Sequence, residues 1–227
     1  MASRYLIISD TQIPFENPDA LDFCRRVQKD FRIPKENIIH IGDELDNYYL
    51  SRFPRDPDAE FSPKGEIKLA RERLKPWIAA FPAMHVCISN HGLRLLARAF
   101  DSYMPSELIR AYHEVSDLPT SWIYRDEWIF KEKYPFRCVH GIGYSGISGA
   151  RNAAVDGRIS TCIGHLHAHG GISYIRNDKN LIWGMNVGCL IDESSFGFRY
   201  AKHARFKAML SVGVVIDDGK TPILVPL

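Results

Sequence analysis

Acidic, amide and imidazole side chains follow short apolar runs at five separate places in the chain. The five segments are Asp10-Thr11-Gln12, Gly42-Asp43-Glu44-Leu45-Asp46, Ser89-Asn90-His91-Gly92, His140-Gly141 and Gly164-His165-Leu166-His167. Oxygen and imidazole ligands without thiolates suit Mn, Fe, Zn or Ni better than a soft metal. Residues two apart share one face of an extended segment, so His165 and His167 can address one site. The pattern therefore predicts a metal site assembled from strand ends.

This set of ligands is large enough for two divalent ions. Two ions that lie ~3.5–4 Å apart need a carboxylate between them, as in two-metal phosphoryl-transfer sites. Asp43 is the predicted bridge, because it follows the apolar run that is expected to form a central strand.

Apolar runs and helical patterns alternate along the chain and predict the elements that must position these side chains. Helices are predicted at 17–31, 64–81, 93–100 and 106–115, and Pro76 is expected to kink or split the second. Strands are predicted at 5–9, 38–41, 84–89, 122–130, 136–139, 158–163, 171–176, 181–187 and 210–217. This order predicts a layered α/β sandwich with a mixed sheet, in one domain spanning residues 1–227. In such sheets, ligands collect beyond the carboxyl ends of the strands.

Composition excludes several other classes of protein. The chain has 227 residues, and its 29 Lys and Arg nearly balance 27 Asp and Glu, for a net charge of +2. This excludes a strongly basic nucleic-acid coat and disfavours a processive nuclease, which needs several phosphate contacts. The five cysteines form no C-x-x-C pair, which is typical of a reducing cytoplasm. No segment approaches the ~20 apolar residues of a membrane span. A cytoplasmic protein without a membrane partner is predicted, and the oligomeric state stays open.

Taken in order, the motifs resemble those of the calcineurin-like metallophosphoesterase family, whose pattern is D-x-H, G-D-x-x-D, G-N-H-[DE], a later H, and G-H-x-H. The resemblance runs from Asp10 to His167 and implies an α/β fold: a four-layer α/β/β/α sandwich with mixed sheets. The stretches 42–53, 90–94 and 186–190 are similar to the small phage-type branch of the family. Gln12 stands in place of His and is a weaker ligand. Ser89 replaces Gly, which is expected to alter only the turn, and Gly92 replaces an acid.

The resemblance also implies roles for individual residues. One ion would be held by Asp10, Gln12, Asp43 and His167, and the other by Asp43, Asn90, His140 and His165. Mn²⁺ is favoured at both positions, with Fe, Zn or Ni as alternatives. The implied reaction is attack on phosphorus by a hydroxide bridging the ions. The implied catalytic residues are His91, which assists the leaving group, Arg94, which offsets developing charge, and Asp46, which orients a ligand or a turn.

The substrate is predicted to be a small phosphorylated molecule, a nucleotide-type phosphomonoester or diester, because 25.9 kDa leaves little room for a separate docking domain. Side chains expected to line its pocket are Asn47, Tyr48, Arg52 and His169. The alternatives are a nuclease or phosphoprotein phosphatase of the same fold, or a non-catalytic metal-binding scaffold. The filled His91 and ligand positions favour an enzyme over a scaffold. His40 is interpreted as a buried hydrogen-bonding residue, and the basic run at 199–207 as a solvated helix face.

Overall fold

The computed structural model describes residues 2–52, 62–195, 198 and 205–227. Six strands of these ranges form a first sheet: β1 (Tyr5–Ile8), β2 (Ile38–His40), β3 (Met84–Cys87), β4 (Trp122–Arg125), β10 (Ser211–Ile216) and β11 (Thr221–Pro226). Five form a second sheet: β5 (Glu127–Phe130), β6 (Phe136–Val139), β7 (Ser160–Ile163), β8 (Gly171–Arg176) and β9 (Leu181–Asn186). The helices are α1 (Ala20–Asp30), α2 (Pro63–Ala80), α3 (Arg94–Asp101), α4 (Tyr112–Val115) and α5 (Gly149–Gly157).

Both sheets are mixed. The first has the order β11-β10-β1-β2-β3-β4, in which β1 to β4 are parallel and β10 and β11 are antiparallel to their neighbours. The second has the order β5-β6-β7-β9-β8, with β6, β7 and β9 parallel. Parallel strands in each sheet end at the same edge, which is where the predicted ligands follow them.

Alternating side chains of β1 show how the layers arise. Leu6 and Ile8 pack into a core with α1 and α2, whereas Tyr5 and Ile7 pack into a second core between the two sheets. Such alternation is the two-residue period of a strand buried on both faces. On the far side of the second sheet, Ala153 of α5 packs on Ile163 of β7. The predicted four-layer α/β/β/α sandwich with mixed sheets is therefore confirmed.

The single strand predicted at 122–130 is wrong. Residues Trp122–Arg125 pair parallel to β3 in the first sheet, and Glu127–Phe130 pair antiparallel to β6 in the second. The chain passes from the first sheet to the second at Asp126. Hydrogen bonds from two tryptophan indoles hold the strands on either side of it. Trp122 donates to the Phe81 carbonyl and Trp128 to the Val86 carbonyl. The exchange leaves the apolar alternation intact, so periodicity alone did not reveal it.

Two helix predictions also needed correction. Of the two outcomes predicted at Pro76, a kink or a split, the split is wrong. Helix α2 runs unbroken from Pro63 to Ala80, and Leu74 and Trp77 on either side of Pro76 are buried in the core. The helix predicted at 106–115 is instead a 3₁₀ turn at Ser106–Leu108 followed by the short α4.

Some elements were missed or lie outside the described ranges. Helix α5 and strand β11 were not predicted. Of the basic run, Arg205 and Lys207 are not helical, and positions 199, 202 and 203 lie outside the described residues. No helix within the described ranges is long and apolar enough to cross a membrane.

Candidate metal centre

The predicted ligands converge at one edge of the sandwich. Asp10 follows β1 and Asp43 follows β2 in the first sheet, while His140 follows β6 and His165 follows β7 in the second. Loop hydrogen bonds hold the first two ends side by side, since the Asp10 amide donates to the Gly42 carbonyl over 3.1 Å. Each sheet therefore contributes ligands to a shared centre.

Two ligand groups form there, and they have one residue in common. The groups are Asp10 with Asp43 and His167, and Asp43 with His140 and His165; within each, one ligand atom per residue lies within 4.8 Å of the others. The shared residue, Asp43, is the one predicted to bridge. It is 1% exposed, so its carboxylate is directed into the protein and not into solvent.

The two amide ligands join the same groups. Asn90 Oδ1 lies 2.7 Å from His140 Nε2, and the Gln12 amide nitrogen lies 3.0 Å from His167 Nε2. All seven side chains expected to hold metal are thus brought together, in the two sets that the resemblance implies.

Several ligands adopt a backbone conformation that is uncommon for residues with a side chain. Their φ angles are positive: 47° at Asp10, 48° at Gln12, 55° at Asp43 and 65° at His165. A left-handed residue turns its side chain away from the direction that the strand would give it. Such residues persist where the surrounding structure holds them, and they collect at functional sites. Here they direct the ligands toward the common edge.

Gly42 permits the closest approach within the centre. Its φ is +99°, and a Cβ on it would lie 2.6 Å from Ser89 Cβ and 2.8 Å from His140 Nδ1. Only glycine combines this backbone conformation with so little space. Gly42 therefore lets the loop of Asp43 pack directly against His140.

The atoms around His140 Nε2 are acceptors that favour a positive charge. Its Nδ1 lies 2.8 Å from the Ile41 carbonyl, so Nδ1 carries a hydrogen. Its Nε2 then faces two oxygen acceptors, Asp43 Oδ2 at 3.3 Å and Asn90 Oδ1 at 2.7 Å. Burial disfavours a charged imidazole, but the charges of Asp43 and Asp10 prevail and raise the pKa of His140 to about 9. A metal ion among these atoms would remove the need for that proton.

The same electrostatic pattern holds at the two carboxylates. Burial opposes their ionisation, yet His140 and His91 hold the pKa of Asp43 well below its ordinary value. His167 likewise lowers the pKa of Asp10 against the effect of burial, with its Nε2 2.9 Å from Asp10 Oδ1. Both groups are therefore anionic and ready to bind a cation at neutral pH.

Gln12 supplies a separate observation. Its Oε1 atom is buried and has no hydrogen-bond partner, and leaving a buried acceptor without a partner is costly. A half-turn of the amide would exchange this oxygen with the nitrogen that now faces His167. An oxygen so placed fits a hard or borderline cation, and the residues of the centre as a whole fit two divalent ions.

His91 lies beside the metal ligands and is held at three points. Its amide donates to Asp43 Oδ1 over 3.1 Å, and its Nδ1 lies 2.7 Å from the Asp46 carbonyl and 3.1 Å from Asp46 Oδ1. Asp46 thus holds the His91 ring in place, and its catalytic role stays a prediction. Burial lowers the pKa of His91, but the charges of Asp43 and Asp46 outweigh burial, so the net shift is upward.

Arg94 lies in a position that its sequence context did not indicate. Its Nη2 is 2.8 Å from His91 Nε2, and its Nη1 donates to the carbonyls of Asp46 at 2.6 Å and Asn47 at 3.3 Å. The guanidinium therefore holds the turn after Asp46 together and contacts the His91 ring directly.

The four predicted substrate residues differ in their surroundings. Asn47 donates to the His91 carbonyl over 3.0 Å, beside the centre. The Tyr48 ring packs edge-on against Phe15 at 6.3 Å. The Arg52 guanidinium forms an ion pair with Asp101 of α3. His169 closes the loop after His167 by donating its amide hydrogen to the Leu166 carbonyl. Their roles toward a substrate stay predictions.

Ser89 does more than alter the turn. Its hydroxyl accepts the Asp43 amide hydrogen at 2.9 Å and the Gly92 amide hydrogen at 3.3 Å. Ser89 therefore holds the backbone of Asp43, the predicted bridge, in place. The comparison with the family pattern, which has Gly at this position, did not indicate this role.

A buried polar network behind the ligands was missed in part. His40 is buried as predicted, with Nε2 3.1 Å from the Thr11 hydroxyl. Glu44 was not singled out, although it directly follows Asp43. Its Oε1 accepts from the Tyr124 hydroxyl at 2.9 Å, and burial raises the pKa of Glu44 to about 7.

An apolar cavity of about 140 Å³ lies next to the turn of Asp46, with Leu45, Asn47, Glu66 and Leu95 in its wall. None of the predicted metal ligands lines it among the described residues. The cavity is therefore separate from the predicted ligands, although the predicted substrate residue Asn47 belongs to its wall.

No family model matches the chain. It is 26% identical over 247 residues to the Gene 54 protein of Mycobacterium phage L5, covering 100% of this chain and 94% of the phage protein. Two solved structures are similar at low identity. Vacuolar Protein Sorting 29 from Cryptosporidium parvum has a TM-score of 0.49 and 12% identity, covering 98% of this chain and 89% of that chain. Vps29 from Chaetomium thermophilum has a TM-score of 0.43 and 10% identity, covering 98% and 86%. The assignment of a function therefore depends on the residues of the centre.

Proposed function

We propose that the protein is a metal-dependent phosphoesterase with two divalent ions at the strand-end centre. The observation that carries the proposal is that Asp43 belongs to both ligand groups. One carboxylate between two ions is the arrangement of two-metal phosphoryl-transfer sites. The resemblance of the motif order to calcineurin-like metallophosphoesterases supports the same reaction class.

The ligand chemistry favours Mn²⁺, with Fe, Zn and Ni as alternatives, because carboxylates and imidazoles form both groups and an amide side chain contacts a histidine of each. Divalent ions there would supply an acidified water as nucleophile and would offset charge on the phosphoryl oxygens. The residues expected to hold them are Asp10, Gln12, Asp43 and His167 for one ion and Asp43, Asn90, His140 and His165 for the other.

His91 is the proposed proton donor to the leaving oxygen. Its raised pKa favours the imidazolium, and the contacts to Asp46 fix the ring so that Nε2 is the donating atom. A protonated Nε2 and the Arg94 Nη2 are both donors, so their 2.8 Å contact must open before the transfer. Arg94 then offers its charge to the phosphoryl group.

The proposed substrate is a small phosphorylated molecule of nucleotide type, either a monoester or a diester. The net charge of +2 disfavours a long nucleic acid, since binding one requires many phosphate contacts. A nuclease or a phosphoprotein phosphatase of the same fold is the alternative within the enzyme class.

A non-catalytic metal-binding scaffold is the second candidate. The Arg94 contact on His91 Nε2 favours it, because that contact blocks the atom that would serve the leaving group. Its expected behaviour differs sharply from that of an enzyme: metal would bind, but no phosphate ester would be cleaved.

Hydrolysis of p-nitrophenyl phosphate and of its bis ester separates the two candidates. The purified protein with Mn²⁺ is expected to cleave at least one of them, and chelation is expected to stop turnover. His91→Asn is expected to lower kcat by at least about 100-fold with an unchanged Mn²⁺ content. His113→Asn, a histidine that stacks on Tyr124, is the control and should keep full activity. Bound metal without hydrolysis under Mn²⁺, Fe²⁺, Zn²⁺ or Ni²⁺ would favour the scaffold.

A further inference from the structure

Residues 205–209 run alongside the loop that carries His165 and His167. The Met209 amide donates to the His167 carbonyl over 2.7 Å, and His169 closes that loop by donating its amide hydrogen to the Leu166 carbonyl over 2.9 Å. His169 is only two residues from a metal ligand, so their Cα atoms are at most about 7 Å apart. Met209 and His169 therefore lie next to the backbone of His167, one of the predicted ligands.

An exposed phenylalanine of the 205–209 segment contacts the half-buried His169. The Phe206 ring is 60% exposed, and its centroid lies 6.2 Å from that of His169 at an angle of 47°. The Arg205 guanidinium lies 5.5 Å from the Phe206 ring centroid. Phe206 has an imidazole and a cation beside it and is still 60% exposed, so its ring offers accessible π-surface on which a planar group can stack.

We propose that Phe206 and His169 form a stacking subsite for the base of a nucleotide whose phosphate ester binds at the Asp43 centre. This inference rests on the proposed function and specifies the substrate class of the same site. Stacking of a base on an aromatic side chain tolerates any base, because every base has a π-face. The subsite therefore selects nucleotides over sugar phosphates without selecting one base.

The kinetic test compares AMP with ribose 5-phosphate, which share the phosphate and sugar but differ by the base. With Mn²⁺, Phe206→Ala is expected to lower kcat/KM for AMP by about 5- to 100-fold, mainly through KM. It should leave the value for ribose 5-phosphate unchanged, and Phe206→Trp should keep the preference for AMP. Phe100→Ala is the matched control, since Phe100 of α3 is also 60% exposed. Equal losses on both substrates, or no loss on AMP, would overturn the proposal.

A second readout does not depend on turnover. In saturation-transfer NMR with AMP and metal-free protein, the base protons are expected to receive magnetisation from the wild type and the Phe100→Ala variant but not from Phe206→Ala. If Phe206→Ala loses this signal and the wild type hydrolyses no phosphate ester, the stacking subsite is upheld and the proposed enzyme is rejected. Hydrolysis of p-nitrophenyl esters without base contact in the wild type would reject the subsite and leave the enzyme standing.

Discussion

At the scale of single residues, Asp43 is the side chain on which both ion positions depend. It belongs to both ligand groups, and Ser89 and His91 hold its backbone and one carboxylate oxygen. Asp43→Asn keeps the shape but removes the charge that a bridging ligand needs. We expect the Mn²⁺ content to fall from two ions to at most one per chain, measured by elemental analysis after dialysis. Asp46→Asn is the control and should keep both ions, and two ions retained in Asp43→Asn would contradict the bridge.

The pH dependence of stability is expected to report on His140. Its pKa rises from an ordinary 6.5 to about 9 on folding, so the folded state binds one proton more than the unfolded state between these values. The stabilising contribution is complete below pH 6.5 and is lost as pH rises toward 9. His140 should therefore contribute a loss of about 2 kcal/mol in the unfolding free energy of the metal-free protein between pH 6.5 and 8. Glu44, whose pKa is raised to about 7 by burial, should add a smaller loss that the His140→Gln variant keeps.

Urea unfolding in the presence of a chelator measures this loss. His140→Gln, which cannot titrate, should show a flatter profile over the same range. Measurements stop at pH 8 because burial also raises the pKa of thiols such as Cys24 above 9.0, which adds its own loss of stability at higher pH. Identical slopes for the wild type and His140→Gln would refute the assignment.

The residues of the centre were the most predictable part of the molecule. The motifs at the strand ends predicted seven side chains that the structure brings together, because such motifs depend on residue type and short spacing; their binding of metal stays a prediction. The contacts of Ser89 with the Asp43 backbone and of Arg94 with His91 were not predictable in the same way. Each depends on a distance to a residue on another loop, which short-range patterns do not contain.

At the scale of elements, the loop after β2 depends on the space around Gly42. Gly42→Ala would place a Cβ 2.8 Å from His140 Nδ1, so we expect the imidazole to move and to lose its bond to Ile41. Gly143→Ala is a closely matched control, since Gly143 has φ +92° against +99° at Gly42 but no atom within 4 Å of a Cβ. Both variants bear the backbone strain, of about 1 kcal/mol, and only Gly42→Ala bears the clash.

The two glycine variants are compared by urea unfolding and Mn²⁺ titration. We expect Gly42→Ala to lose about 2 kcal/mol more than Gly143→Ala and to bind Mn²⁺ at least about tenfold more weakly. Equal losses of stability would mean that backbone conformation alone requires glycine at this position.

The elements were predicted well wherever the apolar residues follow a single helical or strand period, as in β1 and α1. They were predicted poorly where tertiary packing decides the outcome. Asp126 separates β4 from β5 without disturbing the alternation, and the small residues of α5 give only a weak amphipathic signal. In both cases the neighbouring sheet, and not the local sequence, determines where the element begins.

At the scale of the whole molecule, the centre joins the two sheets. Asp10 and Asp43 come from the first sheet and His140 and His167 from the second, so ions bound there would hold the sandwich together. Ions that bind only the folded state add about 2.7 kcal/mol each at 100 times their Kd. For a chain of 227 residues we expect the Tm to rise by about 5–10 °C per ion.

Thermal unfolding followed by tryptophan fluorescence and by circular dichroism tests this expectation. Both probes should give one coincident transition, as the predicted single domain requires. Mn²⁺ should raise the Tm of Asp43→Asn by less than half as much as that of the wild type. Two separate transitions would indicate that the sheets unfold independently.

The position of β1 between β2 and β10 bears on how the protein is made. Tyr5 pairs with Val215 and Ile7 with Gly213, so one side of β1 has no partner until the ribosome has added the residues of β10. Until then, the strand presents unpaired amide and carbonyl groups along an apolar edge, where another nascent chain can add. Aggregation during synthesis, more than instability of the finished fold, is therefore the hazard that this strand order brings.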